Sequence, residues 1–221
     1  MTRRRWWITG GVLAVLILGL VAGPLIYAAL QEDAPPAATV EAQPEGADLS
    51  DDSDGTWTVS HGSSAGYRVD EVLNGADNTV AGTTDQVTGF VVVAGNRLAQ
   101  AEVTVDVAGI TTDNGRRDAY FRGNVMNVDE HPTAAFRVTE PADLPELTGT
   151  PVTVPVTGEL TVAGATRPVQ VQLAVVRTPA GVDISGSIPV TFADYGIEAP
   201  SLGFVRVEDA GSVEFLLRLA K

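Results

Sequence analysis

The sequence contains no cysteine. Disulfide bonds, thiolate metal sites and a cysteine nucleophile are therefore excluded. A domain that folds without disulfides has to be stabilised by a hydrophobic core of its own. Only two histidines and one lysine occur among the 221 residues, so the side chain that most often serves as metal ligand and general base is scarce.

Basic residues are few and unevenly placed. Arg3, Arg4 and Arg5 are three of the 14 bases, whereas all 28 acids lie after Leu30, which leaves 11 bases against 28 acids from Gln31 onward. Such a surface repels phosphate groups. The charge therefore argues against nucleic-acid binding and against adsorption to anionic lipid through a basic patch.

An apolar, uncharged run extends from Trp6 to Leu30. Its 25 residues exceed the roughly 20 that a helix needs to cross a bilayer core. A cleaved signal peptide is the alternative, but its apolar region is typically only about 7–15 residues long. Because arginines precede the run and acids follow it, we predict a single-pass cell-membrane protein. Residues 1–30 are its anchor, with the N-terminus cytoplasmic and the rest extracytoplasmic.

Residues 31–55 are rich in proline, alanine, glycine and acids and contain no base and no aromatic residue. This composition buries too little apolar area to order a chain. It predicts a disordered acidic linker that holds the domain of residues 56–221 away from the membrane.

From residue 56 onward, the hydrophobic period is two. For example, polar residues alternate with Ala101, Val103, Val105 and Val107. This pattern is typical of antiparallel strands with one face buried. Strands are predicted near 57–60, 65–73, 79–93, 97–108, 134–139, 150–162, 166–177, 181–193 and 211–220. At most a short helix is expected within Arg116–Asn127. The pattern favours an all-β, antiparallel barrel of about eight strands, and a two-sheet sandwich is the alternative.

The least periodic stretch is Asp113–Phe136, which carries a cluster of charge. Arg116, Arg117 and Arg122 are candidates for binding a ligand head group at the barrel mouth; in the structural interpretation, an arginine pairs with Asp118 or another carboxylate and fixes a corner between strands. The run Asp129–His131 resembles a metal site, but adjacent residues of an extended chain point to opposite sides. No serine lies in a nucleophile elbow and no glycine-rich phosphate loop is present. We therefore expect no enzyme activity, no metal and no cofactor.

Four blocks of sequence stand out: Trp57–Val59 with Ser64–Val69; Asn114 and Arg116–Asp118 with Asn127–Val128 and His131–Pro132, leading to Phe136; Gly158–Val162 with Gly164–Val169; and Phe192–Ile197 with Pro200 and Val207–Asp209. In this order, they resemble the YceI family of polyisoprenoid-binding, lipocalin-like barrels. The resemblance covers nearly all of residues 56–221.

The resemblance implies a lipocalin-like barrel with a long apolar tunnel that binds an isoprenoid chain, as a quinone or a polyprenyl phosphate. Apolar burial alone could supply the affinity, at about 25 cal/mol per Å². A structural or interaction module of the cell envelope with a filled core is the alternative. The oligomeric state is left open. The candidate lipid-binding side chains are Phe90, Val92, Val103, Val105, Phe121, Phe136, Val171, Leu173, Ile184, Ile188, Phe192, Tyr195 and Phe204.

Overall fold

The computed structural model describes residues 34–50, 54–203 and 205–221. The predicted membrane anchor of residues 1–30 and the candidate Phe204 lie outside the described residues. Among the described residues, no helix is both long and apolar enough to cross a bilayer.

The described residues form a single antiparallel sheet of eleven strands. The strands are β1 Gly55–Val59, β2 Ser64–Leu73, β3 Ala76–Thr84, β4 Val87–Val93, β5 Arg97–Asp106, β6 Thr133–Val138, β7 Ala142–Asp143, β8 Val152–Val162, β9 Ala165–Thr178, β10 Gly181–Thr191 and β11 Val205–Ala220. The helical elements are the helix α1 Gly115–Tyr120, the π-helical turn Phe121–Val125 that continues it, and the 3-10 turns Val107–Gly109 and Phe192–Tyr195. The short helix predicted within Arg116–Asn127 is therefore present.

The sheet closes into a barrel of eight strands because β1–β2 and β3–β4 each act as one bent strand. β1 pairs with β4 and β2 pairs with β3, so the two bent strands make one long hairpin. From β4 the sheet continues through β5, β6, β8, β9 and β10 to β11, and β11 pairs with both β2 and β1. The predicted antiparallel barrel is confirmed, and the sandwich alternative is wrong.

A buried serine maintains the hydrogen bonding where β1 bends into β2. Ser63 is 3% exposed. Its hydroxyl donates to the Ser60 carbonyl at 2.8 Å and accepts from the Arg218 N–H of β11 at 2.9 Å. The side chain thus replaces main-chain pairing that the bend removes, and the barrel seam between β1–β2 and β11 stays closed.

The two ends of the barrel differ. One end, which we call the lid end, carries the turns at 74–75 and 163–164, the loop after β10, and residues 107–132, the lid segment, which contains α1. The other end, the far end, carries the turns at 94–96 and 179–180 and the chain terminus.

Residues 34–50 run along the outer wall of the barrel and are called the strap. Main-chain hydrogen bonds tie it at four places: Ala34 to Thr79, Val40 to the Ser185 hydroxyl, Gln43 to Gly149, and Ser50 to Thr178. Ile184 points into the barrel, so the neighbouring Ser185 points outward. Ser185 is nevertheless only 3% exposed, because the strap covers it and bonds to its hydroxyl. For residues 34–50, the prediction of a disordered linker is wrong.

We predict that Gly66→Ala destabilises the barrel. A Cβ on Gly66 of β2 would overlap the carbonyl oxygen of Gly82 on β3. Overpacking of this kind typically costs about 1–3 kcal/mol, and urea unfolding should show the loss. The control is Gly115→Ala, because an added Cβ meets no atom within 4 Å; there, alanine should raise stability by about 0.5–1 kcal/mol. Equal stability of the two variants would contradict the prediction.

Candidate functional site

The barrel interior contains three apolar compartments that follow one another along the axis. Their cavity volumes are ≈ 140 Å³ at the lid end, ≈ 80 Å³ in the centre and ≈ 60 Å³ at the far end. The lid and central compartments share four lining residues, Ala65, Val105, Ala134 and Val213. The central and far compartments share another four, Val91, Leu98, Leu173 and Ile184. The shared lining residues show that neighbouring compartments adjoin each other along the lumen.

The walls offer almost no polar groups. Every residue that lines the central compartment is apolar. In the lid compartment, the only polar side chains on the wall are those of Tyr67 and Ser212, and in the far compartment Asn96 and Arg177 contribute at the wall. Such a lumen suits a hydrocarbon chain rather than a polar metabolite.

Most of the side chains predicted to bind lipid lie on these walls. The central compartment is lined by Val103, Val105, Phe136, Leu173, Ile184 and Ile188, and the lid compartment by Phe121 and Phe192. Val171 and Tyr195 are buried in the core without lining a compartment. Contact of these residues with a lipid stays a prediction.

Phe90 and Val92 lie on the outer face of β4. Phe90 is 36% exposed, whereas Val91 and Val93 line the far compartment. Since successive side chains of a strand point to opposite faces, Phe90 and Val92 share the outward face. The expectation that they line the lumen is wrong.

Several wall residues were not among the candidates. Val213 and Phe215 of β11 line the central compartment, and the period-two pattern of that strand could have identified them. The lid compartment is also lined by Met126, Ile197 and Pro200. These residues belong to irregular segments, where no periodicity indicates which side chains point into the barrel.

An aromatic contact closes the lid segment onto the barrel. The rings of Tyr67 in β2 and Phe121 after α1 stack with centroids 4.7 Å apart at an angle of 23°. Both rings line the lid compartment. The contact therefore forms part of the wall between this compartment and the solvent at the lid end.

Arg117 holds the lid segment through two carboxylates. Its Nη2 lies 3.3 Å from Glu71 Oε1 and its Nη1 lies 2.6 Å from Asp113 Oδ1. Glu71 is 5% exposed and also accepts from Asn78 Nδ2 at 3.0 Å. Arg117 thus has the structural role, although its partner is not Asp118.

Asp118 instead orders the chain that leads into α1. Its Oδ1 accepts from the Thr112 N–H at 2.9 Å and from the Thr112 hydroxyl at 2.7 Å. Asn114 caps the helix by accepting from the Arg116 and Arg117 N–H groups. A side-chain oxygen at this position satisfies N–H groups that a helix start leaves unpaired.

Arg116 and Arg122 are the two cations of the lid segment that are available to a ligand. Arg116 is exposed and Arg122 is partly buried. Within the described residues, neither guanidinium makes an ion pair or a side-chain hydrogen bond. A role for them at a head group stays a prediction.

The histidine of the lid segment packs against a turn. A Cβ placed on Gly164, between β8 and β9, would lie 2.6 Å from His131 Cε1. In the part of the chain that the structure describes, no group of three or more His, Cys, Asp or Glu side chains could hold a metal ion. His131 is accounted for as a packing residue at the lid end.

Burial raises the pKa of Tyr67 to about 12, with a smaller opposing effect from Arg117. The unfolded chain loses its phenol proton near the ordinary value of 10.0, while the folded chain keeps it. We therefore expect the free energy of unfolding to fall as the pH rises from about 10 to about 12, by up to about 2–3 kcal/mol. Urea titrations over this range should show a smaller loss for Tyr67→Phe; equal losses would contradict the assignment.

The sequence model of the YceI-like domain matches residues 57–219. The chain belongs to the YceI-like domain family. The match begins at Trp57, at the seam with β11, and ends at Leu219, so it spans the whole barrel and leaves out the strap.

Curated relatives of this YceI-like domain include UPF0312 proteins of Pseudomonas aeruginosa. One is 28% identical over 106 residues, which cover 45% of this chain and 52% of the relative. The chain therefore spans about half the length of the curated relatives it matches.

Solved structures share the fold. The Burkholderia cenocepacia protein BcnA has a TM-score of 0.58 at 20% identity, covering 72% of this chain and 96% of that one. A polyisoprenoid binding domain from Saccharophagus degradans, implicated in plant cell wall breakdown, has a TM-score of 0.58 at 16% identity, covering 76% and 99%. At these identities, the similarity establishes the YceI-like barrel.

Proposed function

We propose that this YceI-like protein binds the chain of an isoprenoid lipid, a quinone or a polyprenyl phosphate, in its lumen. The N-terminal apolar segment anchors the protein in the cell membrane, with the barrel on the extracytoplasmic side. The observation that carries the proposal is the row of three adjoining apolar compartments from the lid end to the far end.

The shape of the lumen supports a long, thin ligand. The strand β9 has 14 residues, which at about 3.3 Å per residue extends over roughly 45 Å. An isoprenoid chain offers only apolar surface, and its burial contributes about 25 cal/mol per Å². A solved relative of the same fold is a polyisoprenoid binding domain, which agrees with this ligand class.

The head group belongs at the lid end in this proposal. Arg116 and Arg122 lie there without carboxylate partners among the described residues, and a guanidinium matches a phosphate through two parallel hydrogen bonds. A quinone head would instead meet Tyr67, the phenol on the wall of the lid compartment.

Purification of the full chain from its native host, followed by solvent extraction and mass spectrometry, tests the proposal. We expect close to one isoprenoid lipid per barrel. Absence of a stoichiometric lipid, together with failure of the purified protein to bind an added tetraprenyl quinone or undecaprenyl phosphate in detergent, would overturn it.

A second candidate is a non-catalytic envelope module with a filled core. The modest size of the compartments favours it, since the largest of the three measures ≈ 140 Å³ whereas pockets for small molecules commonly enclose about 300–1,000 Å³. In this candidate, the lumen admits no lipid chain. Tight binding of the tetraprenyl quinone would therefore exclude this candidate.

A further inference from the structure

We infer that the strap turns the barrel so that its lid end docks onto the surface of a phospholipid bilayer. The inference rests on the anchoring in the proposed function and adds to it the face that meets the membrane. It specifies the end through which a ligand passes between the bilayer and the lumen.

The strap runs from the far end of the barrel to the lid end. β1 begins at Gly55 at the far end, where the Asp54 carboxylate accepts from the Gly95 N–H at 3.0 Å in the turn between β4 and β5. A linker leading directly from β1 would leave the barrel there. The strap instead returns along the wall and reaches Thr79 of β3, where Ala34 N–H donates to the Thr79 carbonyl at 2.9 Å.

The strap is long enough for this path and is held along it. Its 17 residues, 34–50, span at most about 3.3–3.6 Å each, which exceeds the length of the 14-residue strand β9. Ser50 bonds to Thr178 beside the far-end turn, and Arg68 Nη2 donates to the Pro35 carbonyl at 2.7 Å near the lid end. Ala34, the first residue that the structure describes, therefore lies at the lid end.

An exposed leucine marks the same end. Ile197 and Pro200 of the loop after β10 line the lid compartment, and Leu202 in this loop is 50% exposed. Hydrogen bonds from Leu202 N–H to the Val205 carbonyl at 2.8 Å and from Val207 N–H to the Pro200 carbonyl at 3.0 Å brace the loop. Leu202 is thus presented outward at the rim of the lumen.

Two arginines at the lid end can contact lipid phosphates. The lid segment carries Arg116 and Arg122, whose guanidinium groups have no ion-pair partner among the described residues and can meet lipid phosphates. Acids such as Asp129 and Glu130 lie in the same segment, so the two arginines make local contacts and do not form a basic patch. The exposed Leu202 supplies the apolar contact at this end.

Single-cysteine labels test the orientation directly, because the chain has no cysteine of its own. The variants are Leu202→Cys in the lid-end loop and Ala180→Cys in the far-end turn, in the full chain reconstituted into phosphatidylcholine–phosphatidylglycerol vesicles. Each carries a fluorophore, and nitroxide-labelled lipids are the quencher. Since the barrel separates the labels by roughly 40 Å, we expect quenching at 202 to exceed that at 180 at least about fivefold. Equal quenching, or stronger quenching at 180, would overturn the inference.

Releasing the strap from the barrel wall should abolish the difference in quenching between the labels at 202 and 180. Val40→Pro and Gln43→Pro together remove the N–H groups that bond to Ser185 and Gly149. With both changes, we expect the label at 202 to be quenched no more than the label at 180. Unchanged quenching at 202 would show that the strap does not set the orientation.

The two exposed large hydrophobic residues among the described residues provide a test variant and a control for lipid transfer from vesicles. They are Leu202 and Phe90, and Phe90 lies on the outer wall of β4. Transfer of a tetraprenyl quinone from vesicles should be about tenfold slower for Leu202→Asp, since an anchoring leucine is lost, and unchanged for Phe90→Asp. Equal rates, or contact that appears only when another protein is added, would overturn the inference.

Binding of the tetraprenyl quinone in detergent separates the two proposals. It should be the same for the wild type and both aspartate variants, because neither side chain lines the lumen. Failure of the wild type to bind in detergent would reject the proposed lipid-binding function, while the label measurements would still decide the orientation.

Discussion

Replacement of Ala134 by tryptophan is expected to abolish binding of an isoprenoid chain. Ala134 lies in the wall that the lid and central compartments share, so an indole there blocks a chain that extends from one compartment into the other. Because the neighbouring compartments can take part of the added volume, we expect a loss of stability of no more than about 1–3 kcal/mol. Affinity for a tetraprenyl quinone in detergent should fall by at least about 100-fold, since the buried half of the chain loses its contacts.

The control for this experiment is Val92→Trp. Val92 was also predicted to face the lumen, but it lies on the outer face of β4, so the same added side chain leaves the compartments unfilled. Quinone affinity of this variant should match that of the wild type. Normal binding by a folded Ala134→Trp protein would show that the chain does not pass through the shared wall.

Substitution of Arg117 by methionine should be the most destabilising change in the lid segment. It leaves the carboxylate of Glu71, which is 5% exposed, without its cation. Removal of one partner of a buried pair typically costs about 3–5 kcal/mol; since the Arg117 side chain is 22% exposed, we expect about 2–4 kcal/mol. Urea unfolding should measure this loss directly.

Arg116→Met is the matched control because Arg116 is the preceding residue of the same helix and is exposed. Its effect on stability should stay within about 0.5 kcal/mol. If this variant weakens binding of undecaprenyl phosphate but not of the quinone, Arg116 contacts the phosphate. A stability loss equal to that of Arg117→Met would contradict the division of roles between the two arginines.

Much of the fold follows from the period-two pattern, since each strand needs one apolar face to build a closed barrel. The pattern could not reveal the bends. The predicted strand 79–93 was drawn through the polar residues Thr83–Gln86, where the structure separates β3 from β4. The strap was missed for another reason: its composition predicts disorder, but its order comes from main-chain hydrogen bonds to a wall that exists only after the barrel has formed.

The lumen could be predicted where alternation is strict and not where it is lost. In β5, polar residues on both sides of Val103 and Val105 determine the inward face, and both line the lumen. The run Val91–Val93 of β4 is apolar at every position. The sequence therefore does not indicate which of these side chains point into the barrel, and the prediction placed Phe90 and Val92 on the wrong face. The pairing of Arg117 with Glu71 joins residues 46 positions apart, and local sequence does not indicate such a contact.

The outer edge of β3 has a consequence for how the protein avoids self-association. β3 is the last strand in the pairing order, and the free edge of a sheet can add a strand from another molecule. Here, Ala34 donates to the Thr79 carbonyl, and Thr83 and Thr111 exchange two main-chain bonds at 2.9 and 3.0 Å. The strap and the lid segment therefore act as edge protection, which shields β3 from intermolecular sheet formation.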